Sequence, residues 1–242
     1  MERSVYDQMA ELDQKHWWYV ARREVLSALI ERTVGGRRDL AILEVGCGTG
    51  HNLAMLSRFG TVDALELDSE ARALAEKRLG KPIMRSPLPD LTDVPERHYD
   101  LIGAFDVIEH IEDDRAALAA IARRLKPGGK FIMTVPAHQW MWSAHDVANH
   151  HQRRYSIRQL RGLVETSPLR LEKSGYFNSL LFPLAIAERL ASKLRRKEDG
   201  GLSLPPNWLN RSLEKSFALE RYAIGRFPLP PGLSLFAVAS AT

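Results

Sequence analysis

The chain has 242 residues, 45% hydrophobic and 26% charged, enough for one large domain with the ordinary make-up of a globular protein. Its 34 basic and 30 acidic residues leave a net charge of +4, too mild to argue for nucleic acid on its own. A single cysteine, Cys47, excludes an internal disulfide and suits a reducing compartment. With no run of membrane-span length and no apolar signal core in residues 1–4, the expectation is a cytoplasmic protein.

Residues 4–34 read as helical and precede the first strand. Within them His16-Trp17-Trp18-Tyr19 is followed by Arg22 and Arg23. Adjacent aromatics cannot all share one helix face, so some pack on the core while others cover something else. Either Trp17 and Trp18 pin the helix to the sheet, or the segment is a lid whose Arg22 or Arg23 reaches a carboxylate. The apolar run Leu40-Ala41-Ile42-Leu43 then feeds Glu44-Val45-Gly46-Cys47-Gly48-Thr49-Gly50, and residues 51–59 leave it as an amphipathic segment. That order predicts a buried parallel strand, a tight turn and a helix. Glycines on alternate positions let backbone approach a ligand closely, and the helix start turns its N–H groups toward it. A dinucleotide fingerprint would need a small residue at 51, where His51 stands, so the pattern is acid-x-G-x-G-x-G instead.

Residues 61–67 form a second apolar stretch ending at Glu66-Leu67-Asp68. An acid at that strand tip suits two ribose hydroxyls, and Glu66 is the better placed; Asp68 reads as the cap of a helix over 69–79. Residues 81–84 read as a short third strand. The segment Tyr99-Asp100-Leu101-Ile102-Gly103-Ala104-Phe105-Asp106-Val107-Ile108-Glu109-His110 holds a strand over 101–105. Asp113 or Asp114 caps the helix that follows, and Lys126-Pro127-Gly128-Gly129 turns into a strand over 131–135.

Taken in order, the acid-x-G-x-G-x-G turn, the 99–110 segment and the Lys-Pro-Gly-Gly turn with its strand resemble the motifs of class I S-adenosylmethionine (SAM) dependent methyltransferases. The resemblance is strong over residues 40–135. The His-Trp-Trp segment is similar to one in a bacterial small-molecule subgroup, which favours the lid. The resemblance implies an α/β Rossmann-like fold with a seven-stranded, mostly parallel sheet and an antiparallel last strand. It also implies SAM as cofactor, with S-adenosylhomocysteine as product. At the glycine turn it would be met by Glu44, Gly46, Cys47, Gly48, Gly50 and Asn52. Glu66 and Leu67 would meet the ribose, and Trp18 and Arg22 would come from the lid. Ser86 would lie near the adenine, although Arg85-Ser86 stands where many relatives carry an acid. Phe105 and Asp106 would line the cofactor and substrate opening, and His110 is either a structural histidine or pocket wall.

Beyond the fifth strand, residues 135–155 carry His138, Trp140, Trp142, His145, Asp146, His150, His151, Arg153, Arg154 and Tyr155. Ligands bind beyond the carboxyl ends of strands in open α/β sheets, so this loop supplies the acceptor site. His145 or His150 would remove the acceptor's proton beside Asp146, with Trp140, Trp142, Arg154 and Tyr155 on the substrate. Alternatively Asp146, His150 and Arg154 only pin the loop. His145, Asp146 and His150 also have metal-ligand chemistry, but no compact motif is present and no metal is expected. Ser156 caps a helix over 157–165, strands follow over 169–176 and 234–239, and the last enters through Pro230-Pro231-Gly232.

The expected organisation is one domain: a helical lid over 1–36, a core over 40–176 and 229–242, and a helical insertion over 177–228. The insertion is read as a cap or a dimer surface. Its apolar start and basic tail (Lys193, Arg195, Arg196, Lys197) offer a second reading, peripheral contact with an anionic membrane over 177–197. The function read from these residues is methyl transfer from SAM to an oxygen or nitrogen of a small molecule: a natural product, sugar or lipid-linked intermediate. The alternatives are a macromolecular methyltransferase and a SAM-binding scaffold without turnover.

Overall fold

The computed structural model describes residues 2–195 and 203–242. A six-stranded sheet in the order β2-β1-β3-β4-β6-β5 forms its centre. The strands are β1 (Leu40–Val45), β2 (Gly60–Leu65), β3 (Tyr99–Phe105), β4 (Leu125–Pro136), β5 (Leu169–Phe177) and β6 (Ser234–Ala241). Strands β1 to β4 pair in parallel, and β6 runs antiparallel between β4 and β5. Both faces are covered, which is why β1 and β3 are nearly all apolar rather than alternating.

One face carries α5 (Asp114–Arg124) and α7 (Ile157–Glu165), whose Leu118, Ile121, Leu160 and Val164 meet Ile102, Phe131 and Leu235. The other carries α2 (Trp17–Val34), the short α3 (Leu53–Leu56), α4 (Ser69–Leu79) and α9 (Asn207–Ala218). Local chemistry sets the helix ends. Asp68 accepts from the N–H groups of Glu70 and Ala71, Asp113 from Ala116, and Ser156 forms a reciprocal cap with Gln159.

Several expectations need correction. The helix expected over 4–34 is two, α1 (Arg3–Leu12) and α2, because His16 leaves helical geometry and caps α2 through its ring. The helix expected over 51–59 shortens to the single turn of α3, since Asn52 donates its side chain to Glu44 at 2.8 Å instead of capping. The third strand contracts to one bridge, Leu65 with Met84, so the sheet has six strands among the described residues. Pro82 has no N–H to pair and Pro87 follows closely, which leaves Met84 alone against β2.

The insertion holds α8 (Phe182–Arg195) and α9. Asn210 on α9 accepts from the Trp17 N–H at 3.0 Å and donates to the Lys15 carbonyl at 2.9 Å, bracing the start of α2. Glu220 accepts from the backbone N–H groups of Asn178, Ser179 and Leu180 at 2.6, 2.6 and 2.8 Å, tying the insertion to the end of β5. Arg196 and Lys197 of the basic tail lie outside the described residues. No helix among the described residues is long and apolar enough to cross a membrane.

Candidate active site

The strand order reverses direction at β1, which lies between β2 and β3, and a cavity of about 810 Å³ opens at the carboxyl ends of these strands. At one end Gly46, Gly48 and Gly50 all adopt positive φ. A Cβ on Gly46 would come within 2.8 Å of Val107, and one on Gly50 within 2.8 Å of Leu53. The turn therefore needs glycine for both conformation and space. Across it stands Glu66, only 6% exposed, accepting from the Gly48 N–H and the Asp68 N–H, each at 2.8 Å. Each carboxylate oxygen keeps a lone pair for a further donor.

Helices α1 and α2 roof this end with Tyr6, Met9, Trp17, Trp18 and Tyr19. Arg22 is 3% exposed and donates to Asp106 and to Thr134, both at 2.7 Å, beneath the Trp18 ring. Asp106 itself takes a left-handed φ of 58°, an unusual conformation for a non-glycine residue that turns the chain sharply at the end of β3.

The opposite wall is built from segments far apart in sequence. Glu109, His110, His145, Asn149, His151 and Arg154 line it together. Glu109 is fully buried, and burial pushes its carboxyl well above the usual range. Burial likewise lowers His110 to about 4, so its imidazole is neutral at pH 7. Asp146 holds this wall from behind. It accepts from Arg154 Nε and Nη2 at 2.7 and 2.9 Å, and from the Ser143 N–H at 2.8 Å, while His151 Nδ1 lies 2.9 Å away. Burial would raise the Asp146 carboxyl, but the His151 and Arg154 bonds hold it well below the ordinary value.

Of the residues singled out in sequence, Trp18, Arg22, Gly46, Gly48, Glu66, Leu67, Ser86, Phe105, Asp106, His110, His145 and Arg154 share this one cavity. Others do not line it. Glu44, Cys47, Gly50 and Asn52 lie beneath the turn, where Glu44 and Asn52 pair with each other, so they shape the cradle rather than touch its contents. Asp146 is 0% exposed and acts through Arg154 and His151. His150 sits outside the cavity on a left-handed turn, which points the chain toward His151 instead. Trp140 is 57% exposed and packs beside His138 and Phe182, away from the cavity. Trp142 leads into α6 (Ala144–Ala148) and is also absent from the lining. The Tyr155 hydroxyl donates to Asp114 at 2.8 Å under α5, on the core side of the loop. Arg23 donates to the Asp13 carbonyl, so of the two arginines Arg22 is the one at the cavity. Sequence reasoning missed Tyr6, Met9, His51, Glu109, Asn149 and His151 as lining residues. Glu109 and His151 each stand beside a histidine that was singled out, and that adjacency was the available signal.

The fit of SAM to this cavity can be judged from the polar atoms it presents. Ser86 Oγ, His51 Nδ1 and Arg22 Nε are buried in lining residues without a partner among the described residues. Such atoms are costly unless a polar ligand meets them, and they flank the glycine cradle and Glu66. The residues present fit a nucleoside carrying a charged amino-acid tail.

A methyltransferase-domain family model matches residues 17–174. A Mycolicibacterium smegmatis protein named "Probable S-adenosylmethionine-dependent methyltransferase" is 27% identical over 66% of this chain and 62% of its own length. A ubiquinone biosynthesis O-methyltransferase of Xanthomonas oryzae is 30% identical over 54% of this chain and 60% of its own. The matches thus span about three-fifths of these curated relatives. Among solved structures, a phosphoethanolamine N-methyltransferase of Haemonchus contortus in complex with SAM superposes with a TM-score of 0.58 at 17% identity. That superposition covers 88% of this chain and 51% of that one. By the match over residues 17–174, with the Rossmann-like fold around it, the chain belongs to the SAM-dependent methyltransferase-domain family.

Proposed function

We propose that the chain transfers the methyl group of SAM to an oxygen or nitrogen of a small molecule, with a natural product, sugar or lipid-linked intermediate as the substrate class. The observation that carries this reading is the sharing of one cavity by a glycine cradle with its acid, Glu66, and a wall of imidazole and guanidinium groups. The O-methyltransferase relative supports an oxygen acceptor. SAM, when bound, supplies a methyl group on a positively charged sulfur.

The chain's own residues do the rest. Gly46 and Gly48 admit the backbone-close part of the cofactor, Glu66 accepts its ribose hydroxyls, and Ser86 meets the adenine edge. Arg22, fixed by Asp106 and Thr134, presents its cation to the carboxylate of the amino-acid tail. Tyr6, Met9, Trp17, Trp18 and Tyr19 exclude water and tolerate dispersing positive charge. On the far wall Arg154 orients the acceptor. Burial lowers the His145 pKa, so its imidazole is neutral at pH 7 and takes the acceptor's proton for release to solvent at the rim. Alignment of donor and acceptor is the main catalytic contribution.

The test is methyl-labelled SAM with fractionated host extract. Label entering a small-molecule or lipid fraction is the expected result; label confined to protein or nucleic acid contradicts the substrate class. For the insertion, a cap on the domain is the first reading; peripheral membrane contact through its described residues 177–195 is a second, supported by exposed Leu180, Leu184 and Leu190. Liposome flotation without binding would remove that part alone.

A further inference from the structure

We propose that Glu109, His110 and His151 form a divalent-metal site in the acceptor wall, and that the bound ion holds the acceptor's oxygen. Only the second clause rests on the transferase reading; the site stands on its own geometry.

One ligand atom from each of these residues lies within 4.8 Å of the other two. His151 Nε2 is 3.9 Å from Glu109 Oε1, close enough for one ion to bridge both and too far for a hydrogen bond. The His110 and His151 rings stand 4.7 Å apart and nearly perpendicular at 79°. Both oxygens of Glu109 are buried, and among the described residues no other residue donates to them, in a side chain that is 0% exposed and lines the cavity. A buried carboxyl left in that state is expensive, and a cation is one chemistry that satisfies both oxygens together.

The surroundings have the form of a metal site as well. His151 turns Nδ1 to Asp146 Oδ1 at 2.9 Å, leaving Nε2 for the cavity. Asp146 is held in turn by Arg154 and Ser143. A carboxylate behind a ligating imidazole fixes its ring and raises its basicity. The Gln152 N–H donates to the Glu109 carbonyl at 2.8 Å, joining the two segments that carry the three residues. The cationic side chains nearby are engaged elsewhere, Arg22 with Asp106 and Arg154 with Asp146. Two imidazoles and one carboxylate suit a first-row divalent ion such as zinc and leave positions open for a ligand oxygen. An ion there would lower the pKa of a bound hydroxyl, whose proton then passes to solvent at the rim as the oxygen takes the methyl group.

The experiment uses the full chain after chelator treatment. Zn²⁺ is titrated by calorimetry and Co²⁺ by its visible absorbance. One ion per chain is expected, with Co²⁺ bands of low coordination number. Glu109→Gln and His151→Gln are each expected to weaken Zn²⁺ by more than about tenfold. Should either variant fail to fold by circular dichroism, His110→Gln at the half-buried position takes its place. Binding well below one equivalent, or affinity unchanged in the variants, overturns the site. SAM titration of the same proteins reports the cradle separately. SAM binding without metal therefore sinks this inference alone, and metal binding without SAM sinks the cofactor assignment alone.

Discussion

The two ends of the cavity are built in opposite ways. The end we assign to the cofactor has as its floor a glycine turn and a strand-tip acid, Glu66, that accepts a hydrogen bond from the turn, all within residues 44–68. The opposite wall, which we assign to the acceptor, is made of side chains from the segment after β3 and from the 145–154 loop, held by Asp146 and Arg154. Local conformation dictates the first. The second exists only once distant segments have met, and its polar groups are held by one another.

That contrast can be broken at its weakest joint. Asp146→Ala leaves Arg154 and His151 without their buried anion. It is expected to cost about 3–5 kcal/mol in urea unfolding and most of the acceptor turnover. A loss under about 1 kcal/mol would mean the wall is not held this way. At the other end Gly50→Ala meets Leu53 and the Ala75 backbone in a left-handed conformation. We expect a cost of about 2–3 kcal/mol from crowding and strain combined.

Glu44, beneath the cradle, gives a pH test. Burial raises its carboxyl to about 8 from the ordinary 4.5. Between those values the native chain keeps a proton that the unfolded chain has released. Its contribution to stability therefore falls as pH rises through that window and levels off above it. The slope reaches about 1.4 kcal/mol per pH unit at its steepest. Glu44→Gln should flatten the difference in unfolding free energy between pH 5 and 8, and an unchanged slope would show that Glu44 is ionised in the native state. The smallest effect is expected from Trp140→Ala: an exposed ring outside the cavity should leave SAM affinity and turnover within about twofold.

This division also explains what was readable from the chain alone. The caps at Asp68, Asp113 and Ser156 follow from local rules and form at the expected places, and Gly46 and Gly48 take the positive φ that a tight turn asks for. Strand positions follow from the same patterning, apart from the stretch 81–84, where proline leaves a single bridge, while the arrangement of strands in the sheet is carried by the family resemblance. The acceptor wall was legible in its cast and not in its roles. Among neighbouring histidines at 145, 150 and 151, no spacing rule tells which ring turns inward; a left-handed His150 and the Asp146 bond to His151 decide it. Trp140 and Trp142 look like pocket walls by type, yet the path of the loop carries Trp140 toward Phe182. Glu109 has no role in the sequence motif until the fold buries it beside two imidazoles.

The two ends are expected to do separate work, which calorimetric titration of SAM into the wild type, Glu66→Ala and His145→Ala reads out. Glu66→Ala is expected to weaken SAM by about tenfold or more, the worth of its hydrogen bonds, while His145→Ala stays within about twofold. Full SAM affinity in Glu66→Ala, or an equal loss in both proteins, would contradict it.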